Sequence, residues 1–156
     1  MSLVYVPSTP YFSLILVSLA TLLISCGSAN VAATPPTYTP LQIEKIQEYA
    51  PKVVAVQERS AELQKLIQNQ DWINVGNFIH GPMTEVKLNM SYIVSNLLPE
   101  QQKEARKIAR EMFNNLVKID QAANEGNSRK ALSAYDAAFA DINQFLDLLP
   151  ANTISN

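Results

Sequence analysis

Charge is missing from the first quarter of this 156-residue chain: no Asp, Glu, Lys or Arg stands before Glu44. Cysteine, histidine and tryptophan occur once each, at Cys26, His80 and Trp72. A single Cys excludes an intrachain disulfide and a cysteine-built metal cluster. A single His excludes the paired-histidine zinc motifs. With 12 basic against 14 acidic residues and a pI near 5.4, the chain lacks the strongly basic surface of a nucleic-acid binder, so nucleic acid is not an expected partner. There is no phosphate-cradling glycine loop, no nucleophile elbow, no long Gly/Ser tract and no internal repeat. No alternating apolar-polar run reads as a strand. These absences leave an all-α protein, without an enzyme constellation and without an expected cofactor.

What is present is centred on Asp71 to Pro99. Apolar residues fall at Trp72, Val75, Ile79, Met83, Val86, Met90, Ile93 and Leu97. Steps of three and four put them on one helical face, which other helices must cover. Gly81-Pro82 interrupts the run. Pro82 has no N–H for the carbonyl of Phe78, so the helix either kinks there or ends and restarts with Pro82 in a first turn. The unbroken phase of the face favours the kink. Trp72 is expected to pack at one end of the core.

Three more helices supply the cover. Thr39-Pro40-Leu41-Gln42 fits a capping box, with Pro40 as first helical residue. The face that follows is Ile46, Tyr49, Val53, Val56, Leu63 and Ile67, with Ser60 as a polar gap. Pro51 is expected to divide this helix into a short first part and a body from about Ala50 to Asn69. Asn69-Gln70-Asp71 is a tight reversal, and Asp71 can cap the next helix. Pro99 opens the third helix with Glu100 near its positive end. Its face is Ala105, Ile108, Ala109, Met112, Phe113, Leu116, Ile119 and Ala123, closed by Gly126 as a left-handed cap. Ser128 is expected to cap the fourth, with Leu132, Tyr135, Phe139, Ile142, Leu146 and Leu149 inward and Pro150 as its stop. Short turns make this an up-down-up-down four-helix bundle over residues 41–150, with 151–156 as a disordered tail.

Before the bundle, Leu14–Ile24 is an apolar run of 11 residues. That length suits a signal h-region and is too short for a bilayer, which takes about 20. It leads into Leu23-Ile24-Ser25-Cys26-Gly27, which resembles a bacterial lipobox. The resemblance implies a lipoprotein signal peptide over residues 1–25 and a diacylglyceryl group on the sulfur of Cys26. Residues 1–13 carry no Lys or Arg, a departure from the usual signal n-region. Residues 26–40 then form a proline-containing, uncharged tether, which at roughly 3 Å per residue reaches about 40 Å.

The stretch WINVGNFIHGPM from Trp72 to Met83 and the Leu97-Leu98-Pro99 turn, in a lipidated four-helix chain, resemble the cyanobacterial form of the PsbQ family. The resemblance runs from Leu41 to Pro150. It implies a lipid-anchored protein on the lumenal side of the thylakoid membrane. It also implies a non-catalytic subunit without a redox cofactor, partnered by photosystem II lumenal subunits and core antenna, that helps the oxygen-evolving complex keep calcium and chloride. An assembly factor of the same complex, or a periplasmic ligand-binding lipoprotein bundle, shares much of the pattern.

Two groups of residues stand out as candidate sites. His80, with Glu85 nearby in sequence, lacks further ligands for a metal and reads as a histidine bonding a local carbonyl at the kink. Lys103, Arg106, Lys107 and Arg110 form a basic stripe on helix three, placed by the spacing on the solvent side opposite the apolar face. Cations this close to a helix N-terminus oppose the dipole, so an acidic partner is one reason for them and an ordinary solvated face the other.

Overall fold

The computed structural model describes residues 36–151 and 153. The expected signal peptide, Cys26 and the expected tether up to residue 35 lie outside the described residues. Six helical segments follow: α1 (Pro40–Gln57), α2 (Ser60–Gln68), α3 (Trp72–His80), α4 (Pro82–Asn96), α5 (Pro99–Asn124) and α6 (Ser128–Asp147). They make four antiparallel rods, α1 with α2, α3 with α4, then α5, then α6. The described residues contain no strand. The expected all-α four-helix bundle is the observed fold.

The capping box is present. Thr39 accepts from the Gln42 amide at 3.3 Å, and the Gln42 side chain accepts from the Thr39 amide at 2.9 Å. Just before it, the Tyr38 hydroxyl donates to Gln101 Oε1. Burial raises the Tyr38 pKa above the usual phenol value. Gln101 in turn donates to the Leu148 carbonyl at 3.4 Å. The start of α1, the start of α5 and the end of α6 are thus joined at one end of the bundle. Ala151 is exposed and Thr153 is buried, its hydroxyl donating to the Pro150 carbonyl at 2.7 Å.

Three local expectations are corrected. First, α1 runs through Pro51, because that residue is exposed while Ile46, Ala50 and Val53 hold the helix against α4. The rod breaks instead at Glu58–Arg59. There the Arg59 amide turns back to Val56 O at 3.0 Å, and its guanidinium pairs with Glu62 and lies 5.0 Å from the Phe78 ring centroid.

Second, Gly81-Pro82 is a break and not a kink: α3 ends at His80 and α4 begins at Pro82. The Thr84 amide bonds Gly81 O, and the Thr84 hydroxyl donates to His80 O at 3.1 Å and to Ile79 O at 3.4 Å. Carbonyls at the end of α3 thus gain a side-chain donor. A Cβ at position 81 would stand 2.9 Å from Asn77 O, so the close approach calls for glycine. The face keeps its phase all the same: Val75, Ile79, Met83, Val86, Met90, Ile93 and Leu97 are all buried.

Third, the cap of α6 is Asn127, whose side chain accepts from the Lys130 amide at 3.1 Å; Ser128 is the first helical residue. Elsewhere the local signals hold. Asp71 Oδ1 accepts from the Asn74 amide at 3.4 Å, Pro99 opens α5, and Gly126 has φ +66.

The core is largely apolar, from Ile46 and Val53 on α1 to Phe139, Ile142 and Phe145 on α6, with Asn89 and Asn115 the buried polar side chains of the described helices. Each fully buried Ile, Leu or Met contributes roughly 1.5–3 kcal/mol relative to exposure. Packing is uneven between rods. α5 lies against α6 along their length and α1 against α4, while α4 and α5 touch sparingly. A polar bridge secures the first pair: Asn115 donates to Asp141 at 2.9 Å and accepts from Lys118 at 2.9 Å. Trp72 is only half-buried beside Gly126, and its neighbour Ile73 is 80% exposed.

Candidate functional site

The four residues of the basic stripe, Lys103, Arg106, Lys107 and Arg110, are all exposed. At about 100° per residue they occupy one sector of α5. Their placement differs from the expectation in one respect. Lys103 and Lys107 face outward, but Arg106 and Arg110 stand on the lip of a groove between α4 and α5. The sparse packing of those two helices opens this groove. Arg106 donates to Gln102 at 2.7 Å. The ion pairs among the described residues are Lys45–Glu48, Arg59–Glu62 and Lys130–Glu125, and His80 contacts Asp120, so none draws on the stripe.

The groove has two compartments. One, of about 380 Å³, lies under Arg106 and Arg110 and is floored by Val94 and Ala109. The other, of about 180 Å³, is lined by Met83, Leu116 and Val117 and closed by His80 and Asp120. Lys87 and Phe113 border both. The Lys87 ammonium sits 3.6 Å from the Phe113 ring centroid, a cation–π contact. Phe113, assigned to the core by its spacing, is 38% exposed, and Val117 is 41% exposed. Neither is needed to fill the interior, because Met112 and Leu116 already do so.

Sequence reading missed Lys87, Phe113 and Val117 as surface features. The signal was there: Arg106, Arg110, Phe113 and Val117 step by four, three and four, so cations and apolar residues share one line along α5.

His80 does not bond a local carbonyl. Its Nε2 lies 3.3 Å from Asp120 Oδ1 across the groove end, and its side chain is largely exposed. The break at Gly81 turns it toward α5. Glu85 does not join it; Glu85 instead accepts through its backbone carbonyl from Asn89 at 2.8 Å. Among the described residues no three His, Cys, Asp or Glu side chains gather closely enough to hold a metal ion. No described helix is long and apolar enough to cross a membrane.

These features place exposed cations beside an apolar groove on a helical scaffold. A family model described as PsbQ, oxygen evolving enhancer protein 3, matches residues 8–150. The chain belongs to the PsbQ family. It is also similar to CyanoQ of Synechocystis sp. (strain ATCC 27184 / PCC 6803 / Kazusa), with 40% identity over 139 residues, covering 88% of this chain and 93% of that relative. The matched residues include the whole bundle and both helices that border the groove.

Proposed function

We propose that this chain is a non-catalytic extrinsic subunit of photosystem II on the lumenal side of the thylakoid membrane. There it stabilises the oxygen-evolving complex and its hold on calcium and chloride. The observation that carries the reading is family membership over residues 8–150. The surface is compatible with it: four exposed cations of one helix form no ion pair among the described residues and sit beside an apolar groove. Partners would be lumenal subunits and core antenna. A subunit that binds only the assembled complex stabilises it by mass action, without chemistry of its own.

The anchor in this reading is a lipid on Cys26. Each buried CH₂ contributes about 0.8 kcal/mol, so two or more acyl chains hold the protein at the membrane and the tether sets its height. Replacing Cys26 with Ala should release the chain to the soluble fraction on osmotic fractionation.

The deciding experiment is recovery of this chain, by quantitative mass spectrometry, with detergent-solubilised oxygen-evolving photosystem II. Near-stoichiometric recovery, together with a loss of oxygen evolution in calcium- or chloride-depleted medium when the chain is deleted, supports the reading. Recovery only with inactive, manganese-free particles would point to an assembly factor. Absence from both would overturn it.

A further inference from the structure

We propose that the groove between α4 and α5 is a docking cleft for an acidic segment of a partner protein, one large apolar side chain of which seats against Phe113 and Val117 while its carboxylates meet Lys87, Arg106 and Arg110. The inference rests on the reading above and names the surface it would use.

Charge complementarity identifies the occupant. The chain as a whole is slightly acidic, at −2, yet three cations converge on this one groove. No ion pair among the described residues neutralises them. The carboxylates nearest in sequence do not reach the groove lip. Glu104 and Glu111 lie about 100° or more around α5 from Arg106 and Arg110, toward the α6 side. Asp120 is engaged by His80 at the far end. A row of like charges is costly unless something opposite covers it, and Lys87 is held in place over an aromatic ring.

Shape separates a protein segment from a lipid surface. A bilayer presents a plane and meets whatever stands proud. Here the apolar floor, Met83 and Leu116, is recessed between two rods beneath the partly exposed Phe113 and Val117, and this compartment measures about 180 Å³. An apolar cavity of about 150 Å³ holds benzene, so this one has room for a phenyl-sized or leucine-sized side chain. An apolar anchor in a pocket, ringed by charges that steer and orient, is how protein interfaces concentrate their affinity.

The test uses the full chain, expressed in cells whose own copy is deleted, with photosystem II isolated in detergent and the bound chain quantified by mass spectrometry. Wild-type recovery must be seen first; its absence would sink the subunit reading and not the cleft alone. Two variants then act on different terms. Arg106→Glu with Arg110→Glu reverses the rim, and Val117→Trp fills the groove at constant charge. Each should lower recovery roughly tenfold at moderate salt. Lys52→Glu with Lys65→Glu, on α1 and α2, makes the same net charge change elsewhere and should bind as wild type. All five positions are exposed or line the groove, and circular dichroism checks the fold. If Val117→Trp fails to fold, the charge pair still decides.

Wild-type recovery of both groove variants would overturn the cleft. So would an equal loss in the Lys52/Lys65 variant, which would make the effect one of net charge. Flotation of the purified chain with phosphatidylglycerol vesicles gives the remaining arm. If the Arg106/Arg110 variant loses vesicle binding in parallel while Val117→Trp keeps both, the stripe is a membrane contact and the proposal is wrong.

Discussion

Gly81 and Gly76 lie five residues apart in the same rod, and replacing each with Ala should move stability in opposite directions. At Gly76, mid-helix in α3, an added Cβ meets nothing within 4 Å. Ala there gains helix propensity, so Gly76→Ala should stabilise by about 0.5–1 kcal/mol. At Gly81 the added Cβ stands 2.9 Å from the Asn77 carbonyl oxygen. That oxygen is backbone, and it already accepts the Gly81 amide at 2.9 Å. It cannot yield without loosening the last bond of α3. Overpacking of this kind costs about 1–3 kcal/mol. The reduced entropy of the unfolded chain returns about 0.4–1 kcal/mol. The net expectation is destabilisation of about 1–2 kcal/mol. With a urea m-value of about 2 kcal/mol/M, the midpoint should drop by roughly 0.5–1 M. Trp72, at the start of the same rod, supplies a fluorescence signal alongside far-UV circular dichroism. A third variant tests the cause. If Pro82 imposes the break, Gly81→Ala combined with Pro82→Ala should cost less than the sum of the two, because the rod can then close into a continuous helix. Stabilisation by both single alanines would refute the steric account of the break.

Other consequences are simpler to check. Asn127→Ala should cost about 1 kcal/mol in thermal or urea unfolding, as loss of a side-chain cap does. Ser128→Ala should be neutral or stabilising, because the Ser128 hydroxyl is buried with no hydrogen-bond partner among the described residues and Ala is the better helix former. Asp141 has its pKa raised, first by burial, with the Asn115 hydrogen bond opposing. Its ionised form is therefore penalised in the folded state above the folded pKa, and the penalty fades as pH falls through that raised pKa and is gone below the unfolded value near 3.8. Asp141→Asn, which can still accept from Asn115, should stabilise at pH 7 and lose that advantage below roughly pH 3.8 in urea titrations. Thr84→Val removes the hydroxyl that reaches His80 O and Ile79 O, and should cost roughly 1 kcal/mol by the same assay.

Where the chemistry is local, the sequence was sufficient. The Thr39 capping box, the Asp71 cap, Pro99 at the start of α5 and Gly126 after it each depend on a few consecutive residues. Most of each buried face follows from spacing, but on α6 the expected Leu132 and Leu146 are only half-buried, while Phe145, off the expected line, is fully buried. What escaped depends on neighbours. The break at Glu58–Arg59 has no Pro or Gly to mark it, and one of its contacts is with the ring of Phe78 on α3. Gly81 and Pro82 announced a disturbance. Whether it would be a kink or an interruption depended on the Asn77 carbonyl and the Thr84 hydroxyl. Phe113 obeys the core period yet faces out, because helical phase says nothing of how far apart two rods stand. The groove exists only through that separation, so the basic stripe was legible and its apolar floor was not.

The uneven packing of the rods also bears on how the chain assembles. α5 and α6 are joined by only Glu125, Gly126 and Asn127 and pack along their length. Closing so short a loop costs little entropy, so this hairpin should form early. α1 must instead find α4 across α2 and α3, a longer closure through two interruptions. The C-terminal hairpin is thus the natural nucleus and the N-terminal rod the late arrival. A chain synthesised from its N-terminus makes its fastest-forming pair last, and the first half, which can pair α1 with α4 by itself, must wait for the hairpin that covers the rest of its apolar face.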